Sequence, residues 1–333
     1  MKTIITVILL LLLFNFCQAQ DTFSIVAVDS LTGEIGAAGA SCVDAAIVGT
    51  GVIVINEIQP NRGAINSQAS LNFINQRNAG TRMRSGNSPE EIIDWLKRND
   101  VQRNASIRQY GIVDFDDNGS PRSAAFTGPN CFDYKGQRLG KNYAIQGNIL
   151  KGAAILDSME ARFLRASGTL ADQLMEAMQG ANVAGADIRC LGESVSSLSA
   201  FIRVAKPDDT PDNFWLEIDV KSTPFGVEPI DVLQEQYEEW KSTVSTSKLT
   251  KSISEIYPNP IEGQLFIKLE EEWSNRQLRI FIYNTIGQQI YARNSDGQTN
   301  FRIQESIFEQ SGLYVVTVVS STGEVLETKK LIK

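Results

Sequence analysis

Along this chain the spacing of apolar residues changes several times, and each change marks a new element. Residues 22–55 carry short apolar runs of strand character: 23–28, a turn over Ser30-Leu31-Thr32-Gly33, 35–40, and then Val52-Ile53-Val54-Ile55. The many small residues of 36–41 fit strands packed closely on both faces. From 66 to 84 the spacing turns helical, with Leu71, Phe73 and Ile74 as the apolar side. A second helix follows, in which Ser88 is the N-cap, Pro89 takes the first helical position and Glu91 completes a capping box. Its buried stripe is Ile92, Trp95 and Leu96.

Strands resume at 108–114, 123–127 and 143–148. Ile155, Leu156, Met159 and Phe163 are spaced as one core stripe, and Thr169 caps a further helix with Asp172 at its third position and Leu170, Leu174 and Met178 inward. Strands at 197–205 and 215–220 and an acidic helix at 229–240 close the region. Strands, two helices, strands, two helices and strands suit two antiparallel sheets packed together and covered by helices on both outer faces, an α+β fold of four layers, αββα. The segment 242–252 is rich in Ser, Thr and Lys without an apolar period and reads as a linker. Beyond it, 265–269, 278–283, 289–292 and 313–319 are short alternating strands between Gly-containing turns, which predicts a small all-β sandwich over 253–333.

The first residues read differently. Lys2 supplies a positive start, 4–14 an apolar run too short to span a bilayer comfortably, and Cys17-Gln18-Ala19 a small-residue exit, so 1–19 predicts a secretory signal peptide ahead of a main domain at 20–241. Export to an oxidising compartment permits one disulfide among Cys42, Cys131 and Cys190, and all three pairings remain open.

Composition narrows the chemistry. With 42% apolar and 21% charged residues the chain is that of a folded protein. Its formal charge of −8 and its lack of a Lys/Arg cluster argue against a nucleic-acid partner. There is no histidine, which removes Ser-His-Asp and Cys-His catalysis and the common zinc sites. A hydrolase built from this sequence needs an N-terminal amine, a lysine or paired carboxylates as its base. No metal or cofactor is assigned. Asp114, Asp116, Asn118 and Gly119 fit the first half of a calcium loop, but the twelfth position is Ala125, and an Asn-Gly hairpin turn accounts for the segment.

The most compact catalytic unit on offer is Thr22. A free α-amine on a threonine accepts the proton of its own hydroxyl, with an ordinary pKa of about 7.7 to 8.0. Cleavage after Ala19 leaves Gln20 and Asp21 ahead of Thr22, so a further break at Asp21–Thr22 is required. Asn148 is a candidate donor to a developing oxyanion, with helix capping as its structural alternative. Asp29, at the end of the strand carrying Thr22, and the pair Asp187 and Arg189 are candidates to orient the amine or to bind a substrate carboxylate, against roles as a structural turn and a solvated ion pair.

Two resemblances add to this reading. The tail, through Tyr257-Pro258-Asn259-Pro260, Ile282-Tyr283-Asn284-Thr285-Ile286-Gly287-Gln288, Ser311-Gly312-Leu313-Tyr314 and the closing Lys330-Leu331-Ile332-Lys333, resembles the type A sorting domain of the type IX secretion system. That resemblance implies the secretion machinery as partner, passage through the periplasm and outer membrane, and release or surface attachment. The main domain resembles the domain-of-unknown-function family 1028, grouped with N-terminal nucleophile (Ntn) hydrolases. The matching pieces are Thr22-Phe23-Ser24-Ile25-Val26-Ala27, Thr32-Gly33-Glu34-Ile35-Gly36, Tyr110-Gly111-Ile112-Val113-Asp114, Phe126-Thr127-Gly128 with Cys131, Tyr143-Ala144-Ile145-Gln146-Gly147-Asn148-Ile149-Leu150, and Gly185-Ala186-Asp187-Ile188-Arg189. It implies the αββα sandwich but assigns no reaction. The leading function is an amidohydrolase with Thr22 as nucleophile, Asn148 and Asp29 as candidates beside it, and Asp187 and Arg189 as candidates toward a small-molecule or peptide-like substrate. The competing function is a noncatalytic Ntn-like domain that binds a cell-wall or extracellular ligand.

Overall fold

A computed structural model describes residues 22–250, 254–270, 273, 275–321 and 325–333. The signal peptide expected at 1–19, and Gln20 and Asp21, lie outside the described residues. The chain divides into two compact units at Glu238/Glu239.

In the first unit β1 (Thr22–Val28) and β2 (Ile35–Ser41) form a hairpin whose turn is closed by Asp29: its Oδ1 accepts from the Leu31 amide and its carbonyl from the Gly33 amide. Next come β3 (Asn56–Gln59), β4 (Gly63–Ala69), α1 (Phe73–Arg84), α2 (Pro89–Arg98), β5 (Arg108–Phe115), β6 (Pro121–Thr127), β7 (Gly136–Gly140) and β8 (Tyr143–Gly147). Then come α3 (Ala153–Arg165), α4 (Leu170–Gly180), β9 (Ser199–Ala205), β10 (Leu216–Val220) and α5 (Pro229–Thr250), a helix that begins in this unit and runs past Glu238. One sheet has the order β10-β9-β2-β1-β8-β7 and the other β3-β4-β5-β6, and every pairing is antiparallel.

Strand alternation explains how the layers stack. On β4 and β5, Ile65, Tyr110 and Ile112 pack with Ala79, Met83, Ile92 and Leu96 of α1 and α2. Their neighbours of opposite parity, Ala64 and Val113, pack with Val26, Val28, Ile35 and Ala144 of the six-stranded sheet. The far face of that sheet meets α3 and α4. There a Cβ at Gly36 would collide with the Leu174 side chain, so the small residues of β2 do serve close packing.

Several expectations are corrected. Val52–Ile55 is a 3-10 turn, and the strand is the next segment, Asn56–Gln59. A run of four apolar residues does not by itself separate strand from helical turn. Residues 63–69 are a strand, and the helix starts only at Phe73, capped by Asn72. Phe73 and Ile74 are exposed, while Asn75, Gln76, Ala79, Gly80 and Met83 face inward. The inner Asn75 and Gln76 are affordable there because their amides reach Asp100, Tyr110 and the Val54 carbonyl. In α2, Ile93 rather than Trp95 completes the buried stripe, whereas both capping boxes form as expected. α5 continues to Thr250, into the stretch read as a linker, since a nucleated helix adds polar residues at little cost. The 115–119 loop is a hairpin turn: Asp116 Oδ1 accepts from the Asn118 and Ser120 amides, and Asp114 is engaged by Arg62 and Arg122.

The second unit holds β11 (Ser254–Tyr257), β12 (Gln264–Leu269), β13 (Leu278–Tyr283), β14 (Gln289–Asn294), β15 (Asn300–Gln304), β16 (Leu313–Ser320) and β17 (Val325–Ile332). They form a β11-β12-β15 sheet and a β14-β13-β16-β17 sheet, which share one core including Leu265, Ile267, Ile280, Ile282, Phe301 and Val316. Three of these strands, β11, β15 and β17, lack a clear sequence signal. Among the described residues no helix is long and apolar enough to cross a membrane.

Candidate functional site

The strand registers bring the ends of many elements together around Thr22. Thr22 opens β1 opposite Ser41, the last residue of β2, and Ser41 lies opposite Ser199, the first of β9. On the other flank Phe23 is opposite Gly147, the last of β8. In the facing sheet Ala69 ends β4 opposite Arg108, and Gln109 lies opposite Thr127 at the end of β6. Side chains join the two sheets at this end. Ser24 shares parity with Thr22, so both project into the space between the sheets.

That space is apolar near Val26 and Val28 and polar beneath Thr22. Gln146 Nε2 donates to Ser24 Oγ (2.6 Å), Ser24 Oγ donates to Gln68 Oε1 (2.6 Å), and Gln68 Nε2 donates to the Thr22 carbonyl (2.9 Å). Gln68 Nε2 also reaches Gln109 Oε1 (2.8 Å), which accepts from Asn148 Nδ2 as well (3.1 Å). Gln109 Nε2 in turn faces only acceptors: Thr127 Oγ1 and the Gly136 and Gly147 carbonyls. Those acceptors fix the orientation of the Gln109 amide, and with it the orientation of Asn148. All five residues, Ser24, Gln68, Gln109, Gln146 and Asn148, are fully buried, so each bond is made away from water. A Cβ at Gly111 would collide with Gln146 Oε1, so the seam requires glycine there.

The Thr22 carbonyl accepts a second bond, from the Asn148 backbone amide (3.1 Å). Thr22 itself is fully buried. Asn148 was expected to donate to an oxyanion; its Nδ2 is engaged by Gln109, and the side-chain atom without a hydrogen-bond partner is the acceptor Oδ1. The backbone is strained on both sides of the seam. Ile149, directly after Asn148, has φ 51°, and Ala69, directly after Gln68, has φ 65°. A β-branched residue in the left-handed region is a rare conformation that surrounding contacts must impose. For Ile149 those contacts are its amide to the Phe132 carbonyl and its carbonyl to the Ile188 amide.

Asp187 lies at the same end. Its carboxylate is fully buried and takes four donors: the Cys42 amide (3.0 Å), and the Arg189 amide (3.2 Å), Nε (3.1 Å) and Nη2 (2.7 Å). The Arg189 side chain is one-third exposed, at 33%. A Cys42–Cys190 disulfide ties this turn to the end of β2, which resolves the three open pairings. Cys131 is a buried thiol whose Sγ contacts the Arg108 carbonyl. Arg108, beside Gln109, is itself buried against Asp100 (2.8 Å). Burial pushes the Asp100 carboxyl up, but bonds from Arg108, the Asn104 amide and Asn75 outweigh it and hold it at about 2.

The structure thus brings together Thr22, Asn148, Asp187 and Arg189 but not Asp29. Asp29 follows Val28, at the opposite end of a seven-residue strand, roughly 20 Å from Thr22 at about 3.3 Å per residue. Its role is to close the β1–β2 turn. Sequence reasoning missed Ser24, Gln68, Gln109 and Gln146. Their signal is a polar residue at an inward position of an otherwise apolar strand, as in Tyr143-Ala144-Ile145-Gln146.

Comparison with known proteins gives two family matches. Residues 22–228 match the family of unknown function DUF1028, and residues 255–333 match the secretion system C-terminal sorting domain. No curated protein matches the chain. Among solved structures, the crystal structure of a DUF1028 protein from Silicibacter pomeroyi is 25% identical, with a TM-score of 0.51, over 66% of this chain and 88% of that one. Dimeric latent PorU from Porphyromonas gingivalis is 11% identical over 68% of this chain and 24% of that one, and its TM-score of 0.19 carries no weight. The sorting domain marks the chain for export by the type IX secretion system, to the cell surface or the extracellular space.

Proposed function

The chain belongs to the DUF1028 family of unknown function, and from that premise we propose that it is an exported amide hydrolase whose nucleophile and base are the hydroxyl and freed α-amine of Thr22. The observation that carries this reading is the double hold on the Thr22 carbonyl by Gln68 Nε2 and the Asn148 amide, with the unpartnered Asn148 Oδ1 alongside. That hold comes from Gln68 of the four-stranded sheet and from Asn148 just after β8 of the six-stranded one. The packing order of α1 and α2, four-stranded sheet, six-stranded sheet, α3 and α4 supports an αββα sandwich of the Ntn-hydrolase type.

In this reading the signal peptide at 1–19 is removed on export, Gln20 and Asp21 follow, and the amine of Thr22 becomes free. Asn148 Oδ1 accepts a hydrogen from that amine and orients its lone pair toward the hydroxyl. The Thr22 Oγ attacks the carbonyl carbon of a small-molecule or peptide-like amide while the amine takes the hydroxyl proton and delivers it to the leaving nitrogen. Water then hydrolyses the ester. The second Nδ2 hydrogen of Asn148 is the side-chain donor for the developing oxyanion. Residues 253–333 engage the secretion machinery.

The test is the N-terminal sequence and intact mass of the exported protein, together with labelling by an amine- or hydroxyl-reactive acyl probe. A chain starting at Thr22, with labelling lost in Thr22→Ala and kept in Thr22→Ser, is the expected result. A mature chain that keeps Gln20 or Asp21, or labelling that survives Thr22→Ala, overturns the enzyme reading in favour of ligand binding.

A further inference from the structure

In the first unit a sheet of six strands faces a sheet of four. On one side β6 lies against β7 and β8, and on the other β3 lies against β2, so β9 and β10 run on beyond the four-stranded sheet and leave β3 as its edge. In place of a facing strand β9 meets the Val52–Ile55 turn. The position next to β3 is a cleft of about 410 Å³, lined by all four residues of β3, by Arg84 at the end of α1, by Arg203 of β9 and Glu217 of β10, and by the connection between those two strands. Arg203 is in register with Ala37 and, through it, with Val26, four positions along β1 from Thr22, so the cleft is separate from the seam.

The walls of this cleft are short of hydrogen-bond donors. Asn56 and Gln59 are only 6% and 7% exposed, and each keeps one acceptor without a partner, Oδ1 and Oε1. Their orientations are fixed. Asn66 Nδ2 donates to the Ile25 carbonyl, so its Oδ1 takes Asn56 Nδ2 (2.9 Å), and Gln59 Nε2 donates to Glu57 Oε1 and the Gly80 carbonyl (both 2.9 Å). A buried acceptor without a donor carries a cost that a bound donor removes. On an edge strand every second residue also turns its N–H and C=O away from the sheet, here toward the cleft. Both cations are already neutralised: Arg84 reaches Glu57 (3.5 Å), and Arg203 is held by Glu217 (2.8 Å) over the Phe214 ring. The exposed Asp212, also in the lining, forms no ion pair among the described residues. A fitting occupant brings backbone groups to the edge, donors to the two orphan oxygens and a positive charge to Asp212. An extended peptide with basic side chains offers all three.

We infer that β3 is a docking edge for an extended basic peptide, which adds as a fifth strand of the four-stranded sheet over Arg203, Phe214 and Glu217. Phe201 and Ala205 of β9 face the space between the sheets, and Arg203 shares their parity. The added strand therefore turns one set of side chains onto the Arg203–Glu217 pair and the other toward Glu57, Gln59 and Arg84. Backbone bonds to β3 supply sequence-independent affinity, while Asp212 and the orphan acceptors select basic side chains. This docking is independent of whether Thr22 is a nucleophile.

The experiment is isothermal titration of the full exported chain with three peptides: acetyl-Thr-Lys-Thr-Lys-Thr-amide, its counterpart with Glu for Lys, and its counterpart with Pro for the central Thr. The Pro peptide keeps the charge and loses a backbone donor, so general attraction to an acidic chain does not separate it from the first. Expected is saturable binding of the Lys peptide and about ten-fold weaker binding of the other two. Asp212→Lys, at an exposed position and with an unchanged denaturation midpoint, should weaken the Lys peptide about three-fold or more. Equal binding of the Pro peptide removes strand addition, equal binding of the Glu peptide removes the charge selection, and no binding of the Lys peptide removes the site; each overturns the inference. Sedimentation of the peptide-free chain reads the rival occupant: a dimer that excludes the Lys peptide assigns the β3 edge to a second copy and overturns it too.

Discussion

Gln68 on β4 reaches across the gap between the sheets to donate to the carbonyl of Thr22 at 2.9 Å, so the first residue of one sheet is held by a side chain of the other. The same amide accepts from Ser24 and donates to Gln109, which links the Ser24–Gln146 bonds to the Gln109–Asn148 bonds. Gln68→Leu keeps the volume and removes the hydrogen bonds to Ser24, Thr22, Gln109 and the Gln146 carbonyl at once. Buried groups left unpaired cost about 1 to 3 kcal/mol each, partly offset by relaxation, so a loss on the order of 2 kcal/mol is expected in urea unfolding. Acyl-probe labelling of Thr22 should fall by more than the unfolded fraction accounts for.

Ile149 offers a cleaner comparison. Its φ of 51° is a conformation that any Cβ disfavours, by roughly 1 to 2 kcal/mol, and that glycine adopts freely. Ile149→Ala and Ile149→Gly remove the same side chain beyond Cβ. The glycine variant should therefore be the more stable of the two by about 1 kcal/mol, read as the difference in their denaturation midpoints. Its labelling should nevertheless be slower than that of Ile149→Ala, because the freed backbone no longer holds Asn148 against Thr22.

Asp29 serves as the counterpart. It caps its own turn through the Leu31 amide and lies a full strand away from Thr22. Asp29→Asn keeps an acceptor at Oδ1, so labelling within about two-fold of wild type is expected, and stability should change by no more than about 0.5 kcal/mol. A large loss of labelling would return Asp29 to the site.

These cases also divide what the sequence makes legible from what it hides. Capping at Ser88 and Thr169 is local, set by residues three apart, and both boxes form. The pairing of Cys42 with Cys190 is not local. It follows from Ser41 lying beside Thr22 and from the Asp187 turn folding back onto Cys42, a relationship of the sheet rather than of spacing. The glutamines are hidden for a related reason. Singly, Gln68, Gln109 and Gln146 look like stray polar residues on buried strands, and only when the strands face each other do their amides join, through Ser24, into one run of hydrogen bonds. Asp29 misleads in the opposite direction: it is close to Thr22 in number, but an extended strand converts that closeness into the length of the sheet.

Behind the seam, Arg108 and Asp100 form an ion pair with both side chains 1% exposed. Asp100 is held at about 2 in the folded chain against 3.8 for the free carboxyl. A group whose pKa is depressed on folding contributes stability that is complete above its unfolded pKa and is lost as pH falls through the folded one. The window is therefore about pH 4 down to about pH 2, and the contribution is about 2 kcal/mol. Wild type should lose that stability across the window in urea titrations at successive pH values. Asp100→Asn should be flatter there, because the titrating group is gone, yet weaker at pH 7, where Arg108 is left buried without its counter-charge at a cost of roughly 3 kcal/mol. Because Arg108 also donates to the Ser70 carbonyl and immediately precedes Gln109, acid should loosen the Gln68–Gln109 bond before the main domain unfolds. Thr22 labelling should then decline at a higher pH than the loss of secondary structure. If the two decline together, the ion pair supports the fold without supporting the seam.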